Sequence, residues 1–362
     1  MIRVLIARWT VLVPLLALLA LAAVWGRSLP GVAVTMVMVA LIGAVLAAVH
    51  HAEVVARRVG EPFGSLVLAI AVTVIEVGLI LALMSSGGDQ TATLARDTVF
   101  AAVMITCNGI LGLALLVGAV RRRVAVFNAE GTGAALATVA TLATLSLVLP
   151  TFTTSKPGPE FSPAQLAFAA VASLALYGLF VMVQTVRHPG DFLPVEADGV
   201  VIEDEHAELP SARAAVISLA MLFVALICVV GLAKVVSPAV ESAVESAGLP
   251  QSAVGVVIAL LVLLPETLAA VRAARRDQVQ IGLNLALGSA MASIGLTIPV
   301  IAVASIWLDG PLVLGLGATQ MVLLALTVVV GGLTVVPGRA TLLQGGVHLA
   351  LFSAFAFLAV SP

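Results

Sequence analysis

Long apolar runs alternate with short polar breaks from one end of the chain to the other. Each run is about 20 residues long, enough to cross a hydrocarbon core of roughly 30 Å as a helix. The runs are continuously apolar rather than alternating in polarity, which argues against a membrane β-barrel. Breaks at glycine, proline and clustered charge predict eleven spans, near 10–26, 31–49, 62–84, 98–120, 132–150, 163–186, 212–235, 252–271, 280–302, 311–335 and 341–361. The fold class this predicts is an all-α polytopic membrane protein.

Composition agrees: 61% of the 362 residues are apolar and 10% charged, with a mean hydropathy of +1.20. A net charge of −2 gives no electrostatic case for a nucleic-acid partner; the bilayer is the implied surrounding. The two cysteines, Cys107 and Cys228, both fall in apolar runs and read as small core residues rather than a disulfide or a thiolate metal site. The start, MIRVLIARWTVLVPLLALLALAAVW, has features of a cleaved signal peptide but reads as an uncleaved first span. Of the 17 lysines and arginines, all but Arg27, Arg96, Lys156 and Lys234 fall on one side of the predicted topology. Because cytoplasmic loops retain positive charge, the expected orientation has the N-terminus inside and the C-terminus outside.

The one long polar connection, HPGDFLPVEADGVVIEDEHAELP at 188–210, divides the chain near its middle. It reads as a solvated linker or as a cytoplasmic segment that gathers cations. Five spans precede it, after the first, and five follow. The expected division is an N-terminal helix at 1–30, a first repeat at 31–187, the acidic linker at 188–210 and a second repeat at 211–362.

Two carboxylates break this apolar pattern. VTVIEVGLI places Glu76 in the middle of the third span, and LVLLPETLAAV places Glu266 inside the eighth. Laying GEPFGSLVLAIAVTVIEVGLI over PQSAVGVVIALLVLLPETLAA sets Glu76 on Glu266, so the chain contains an internal repeat. An odd number of spans per unit makes the two copies cross in opposite directions, which brings equivalent positions together near the bilayer midplane. A carboxylate at the centre of a spanning helix costs about 3 kcal/mol on insertion scales. Two at matched positions point to an ion or proton site; the structural alternative is a pair of protonated, hydrogen-bonded groups holding helices together.

Neighbouring residues add neutral oxygen donors. Laying LLVG (115–118) over LTIP (296–299) aligns Asn108 with Ser289, and Thr73 lies one turn before Glu76. Pro265 withholds a backbone donor beside Glu266. Gly78, Gly109, Gly112, Gly288 and Gly295 permit close helix approach or local unwinding. The predicted cation/proton-binding pair is therefore Glu76 and Glu266, with Asn108, Ser289, Thr73, Pro265 and Gly288 accessory. Glu76, Glu266, Asn108 and Ser289 are the candidate metal ligands. All the donors are oxygen, which implies a hard cation, and calcium suits two carboxylates best. Burial disfavours charge, so an empty site holds protons that a cation must expel. That competition, with exposure alternating between the two sides, is antiport.

GEPFGSLVLAIAVTVIEVGLI, RDTVFAAVMITCNGILG, LLPETLAAVRAARRDQVQIGLNLALGSAMASIGLTIPV and the central acidic linker resemble the bacterial calcium/proton antiporter branch of the cation/calcium exchanger superfamily. The resemblance implies ten core helices in two inverted five-helix repeats behind an extra first helix, in a bacterial inner membrane. It implies a central site with one acidic residue per repeat, matching Glu76 and Glu266, that transports calcium and protons without a cofactor. HHAEVVARRVGEP resembles the approach to the first motif, which assigns Glu53 to a proton or ion path. TVIE and LLPE stand where the superfamily has Gly-Asn-x-x-Glu, and the lost amide leaves a sodium or potassium/proton antiporter as the alternative. Rivals from other classes are an intramembrane hydrolase using two carboxylates to activate water and a retinal-type photoreceptor. The aligned repeats favour a symmetric ion site over the first. The only lysines, Lys156 and Lys234, lie in or beside outer segments and disfavour the second.

Overall fold

The computed structural model describes residues 9–27, 29–59, 63–84, 92–195, 210–250, 252–307 and 310–361. Most of the acidic linker, from 196 to 209, lies outside the described residues. Among the described residues eleven helices follow one another: α1 Trp9–Val24, α2 Gly31–Val59, α3 Phe63–Met84, α4 Leu94–Arg122, α5 Ala129–Thr151, α6 Pro163–Arg187, α7 Ala212–Ser246, α8 Ser252–Arg275, α9 Val279–Ala304, α10 Ala318–Val335 and α11 Leu342–Val360. Among the described residues nine are long and apolar enough to cross a membrane unaided, while α1 is a shorter apolar helix. The chain is an all-α polytopic membrane protein.

Local sequence sets several ends. Asn128 caps α5 by accepting from the backbone N–H groups of Glu130 at 2.9 Å and Gly131 at 3.2 Å. Ser162 and Gln165 form a reciprocal capping box at the start of α6, with Pro163 in the first helical position. Two helices outrun their predicted spans: α2 continues to Val59 and α7 to Ser246. HHAEVVARRV contains good helix formers and no breaker before Gly60, so the helix carries its charged end past the apolar span. The tenth span, by contrast, becomes helical only at Ala318, because 310–317 is non-helical and its backbone bonds to the loop at Pro159 and to the end of α5. In that segment Gly315 N donates to Pro159 O at 2.9 Å and Leu316 N to Leu147 O at 2.8 Å. A Cβ on Gly315 would lie 2.4 Å from Thr151 Oγ1, so only glycine allows this approach. The expectation also lacked a small antiparallel pair of strands, β1 Val124–Val126 and β2 Arg339–Thr341.

Helix contacts occur in matched pairs. α2 and α7 pack along each other; α3 packs on α9 as α8 does on α4; α9 packs on α6 as α4 does on α11. Two close approaches fix direction. A Cβ on Gly255, near the start of α8, would come 2.9 Å from Thr98 N near the start of α4. The start of α8 therefore lies on the side where α3 ends. A Cβ on Gly118, near the end of α4, would come 2.5 Å from Val279 Cγ2 at the start of α9. Thus α3 opposes α8 and α4 opposes α9, the crossing expected of inverted copies. The ends bearing Arg121 and Arg122 meet the turn between α8 and α9, where Arg122 pairs with Asp277 at 3.1 Å. This face, which also carries Arg272 and Arg275 at the end of α8, is the arginine face.

Candidate cation site

At the centre of α3, Glu76 has 3% of its surface exposed; at the centre of α8, Glu266 has 6%. Both carboxylates line one cavity of about 80 Å³ between α3, α6, α8 and α9. Space for a water-sized occupant is present, since one water claims roughly 30 Å³ of liquid. Ser293 Oγ donates a short hydrogen bond to Glu76 Oε2. Glu76 Oε1 and Glu266 Oε2 are buried without a hydrogen-bond partner. Buried polar atoms normally find partners, so two unpartnered carboxylate oxygens at one cavity mark a place for a proton or a cation.

Thr73, Gly288 and Ser289 line the same cavity. Beyond its own turn of helix, nothing lies within 4 Å of a Cβ built on Gly288, so its missing side chain leaves the cavity open. Pro265 lies inside α8 immediately before Glu266, and its ring nitrogen cannot donate to the carbonyl one turn earlier. Glu53, half-buried on α2, is within electrostatic reach of Glu266, Arg57 and Arg272. It stands on the arginine side of the pair, outside the cavity lining.

The structure does not bring Asn108 to the glutamates. Its Nδ2 donates to Thr327 Oγ1 at 2.9 Å, and its Oδ1 faces His348 Nδ1 at 3.1 Å. The cause is local: Asn108 sits in a π-helical turn, Ile105–Ile110. Such a turn re-aims the side chains around it, and this one leaves Asn108 facing α10 and α11. Its predicted role as a metal ligand therefore has no support from this arrangement. In compensation, Ser293 reaches Glu76, and Tyr177, Gln184 and Asn284 line the cavity. One signal could have found Ser293: it lies four residues after Ser289, one turn along the same helix face.

The cavity has a direction. Its lining comes from the half of α6 that ends at Arg187 and the half of α9 that begins at Val279, both leading to the arginine face. Near that mouth Asn284 is held by Phe192 O at 2.6 Å and by Gln280 at 2.8 Å. Among the described residues no three His, Cys, Asp or Glu side chains cluster. The donor set is thus two carboxylates with hydroxyls and amides, suited to hard cations and not to zinc or copper. Outside the membrane, the Arg122 guanidinium bonded to Asp277 holds that carboxyl below the usual carboxylate range.

The model of the sodium/calcium exchanger protein family matches residues 29–186 and 217–361, most of the chain. The chain belongs to that family. Among this exchanger's relatives, it is 46% identical to a putative ionic transporter, y4hA, of Sinorhizobium fredii, covering 98% of this chain and 96% of the relative. It is 36% identical to the sodium-potassium/proton antiporter ChaA of Escherichia coli, covering 94% and 93%. A solved H+/Ca2+ exchanger, CAX, shares the fold at a TM-score of 0.68 and 14% identity, covering 96% of this exchanger and 90% of that chain. The family is one of transporters of cations, in keeping with the bilayer implied by the spans.

Proposed function

We propose that this exchanger moves calcium against protons across a bacterial inner membrane, using Glu76 and Glu266 as a shared site that holds either a cation or protons. The observation that carries this reading is the pair of buried carboxylates, one from each opposed half, each with a free oxygen at one cavity. Two negative charges balance a divalent cation, and Ser293, Ser289 and Thr73 supply neutral oxygens beside them. When the cation leaves, protons replace it, because ionised carboxylates in a low-dielectric site are costly. Access alternates between the two faces, and the cavity leads toward the arginine face, which we assign to the cytoplasm from the retention of positive charge there. Glu53 then lies on the cytoplasmic approach to Glu266. The halves at 31–187 and 211–362 are the two repeats, with the acidic linker between them.

A second reading, exchange of sodium or potassium for protons, is favoured by the 36% identical relative that carries that description and by TVIE and LLPE, which offer no amide beside the carboxylates. One preparation of inverted vesicles with an imposed proton gradient separates the two. Calcium uptake well above sodium and potassium uptake supports the first reading. Uptake of a monovalent ion with no response to calcium supports the second, and uptake of none of the three removes both.

A further inference from the structure

The two helices that carry the glutamates bring little else to hold a cation. Thr73 of α3 adds a hydroxyl, but its repeat mate on α8 is Leu263, a buried apolar side chain. Helix α9 adds the hydroxyls of Ser289 and Ser293. Hard cations such as calcium gather six to eight oxygens, amide carbonyls among them.

Two side-chain amides line the cavity, and they differ in what they already do. Asn284 is committed at both ends: its Oδ1 accepts from Gln280 at 2.8 Å and its Nδ2 donates to Phe192 O at 2.6 Å. Gln184 of α6 makes no side-chain hydrogen bond with any described residue. Tyr177, Phe180, Val181 and Gln184 recur at helical spacing, so one face of α6 forms that wall of the cavity. Gln184 thus brings an unspent donor and an unspent acceptor to a cavity that holds two buried carboxylates.

Close approaches along α9 give its depth. Helix α6 runs toward the arginine face and α9 away from it, and a Cβ on Gly295 would meet Tyr177 Cβ at 2.6 Å, so these two residues are level. Seven residues from that contact along each helix, Gln184 comes level with Gly288, the position where the cavity is left open. A Cβ on Gly282 would lie 3.2 Å from Ala270 O of α8, which sets Glu266, four residues on, level with Ala286. Glu76 is bonded to Ser293. Counted from the arginine face along α9, the order is therefore Glu266, Gln184, Glu76. The free amide stands between the two carboxylates in depth.

We propose that Gln184 is a cation ligand: α6, a helix that carries neither glutamate, supplies the amide oxygen that completes the shell between Glu76 and Glu266. The proposal rests on the exchange reading, which supplies the cation. An amide serves both states of such a site, because its oxygen can coordinate the cation and its N–H can donate to a carboxyl oxygen once the cation has left.

Two measurements test this. The first is calorimetry of calcium, sodium and potassium binding to the purified parent chain and to two variants that each elute as a single folded species. Gln184→Met keeps the length of the side chain and removes the amide; Gln184→Asn keeps the amide and shortens the chain by one methylene. For the cation that the parent binds, Gln184→Met is expected to weaken binding about tenfold and Gln184→Asn by less. A packing role alone would give the reverse order, since methionine fills the space of glutamine and asparagine leaves part of it empty. Parent-like affinity in the Gln184→Met chain, or a larger loss in Gln184→Asn than in Gln184→Met, overturns the proposal. The second measurement needs neither variant. Gln184→Cys is labelled in membranes with a small cationic thiol reagent added on the arginine face, against the parent chain, whose Cys107 and Cys228 are buried. Cation at a concentration that saturates this variant is expected to slow labelling at least about fivefold, and a rate that the cation leaves unchanged contradicts the assignment. Absence of binding of all three cations by the parent chain instead overturns the exchange reading, and the role of Gln184 with it.

Discussion

Ser293 donates to Glu76 where both are buried, so a single hydroxyl is expected to matter there. A hydrogen bond to a charged group contributes about 1.5–3 kcal/mol. Ser293→Ala is therefore expected to weaken cation binding by roughly tenfold or more while leaving the fold intact, measured as the concentration for half-maximal uptake. Gly288→Leu should act differently, by filling the cavity and abolishing uptake of every cation. The glutamates were legible in the sequence because a carboxylate inside an apolar run demands an explanation. Ser293 was marked only by its one-turn spacing from Ser289, because a hydroxyl costs little in an apolar helix and serines are common there. The direction of Asn108 was hidden for another reason: its partners Thr327 and His348 are far away in the chain, and a π-turn shifts its helix face.

At the scale of elements, close approach of backbones sets the packing. A Cβ on Gly345 of α11 would lie 2.7 Å from Leu116 N on α4, whereas beyond its own turn of helix nothing lies within 4 Å of a Cβ on Gly346. Gly345→Ala is expected to destabilise the protein by about 1–3 kcal/mol. Gly346→Ala, one residue away, should be neutral or slightly stabilising, since alanine is the better helix former. Thermal melts of the two variants in detergent check the contrast. The Arg122–Asp277 pair ties the turn between α8 and α9 to the end of α4. The carboxyl is held low, so the pair contributes above the ordinary carboxylate range and is lost only as pH falls through the lowered value. Asp277→Asn should lower the melting temperature slightly at pH 7, with the effect shrinking as pH falls below the ordinary carboxylate range. Helix existence was legible because apolar runs of spanning length leave the backbone no other satisfied state in lipid. The extended 310–317 segment was not, because its hydrogen bonds go to Ala92, Pro159 and Leu147, which only the folded chain brings near.

Over the whole molecule, α3 and α8 run in opposed directions, and each brings one glutamate to the same cavity. The alignment of Glu76 with Glu266 predicts the repeat, and the structure adds that α3 opposes α8 and that the cavity beside both glutamates leads toward the arginine face. On the exchange reading cation and protons compete for the same oxygens, so apparent cation affinity should rise with pH until the site is fully deprotonated, and fall as protons reoccupy it. The most direct test is calorimetry of calcium binding to the purified exchanger in buffers of different ionisation enthalpy, which counts the protons released per cation. The account predicts proton release on binding by the unsubstituted chain, with less release and weaker binding in both Glu76→Gln and Glu266→Gln. Calcium binding with undiminished affinity and the same proton count in either variant would contradict it.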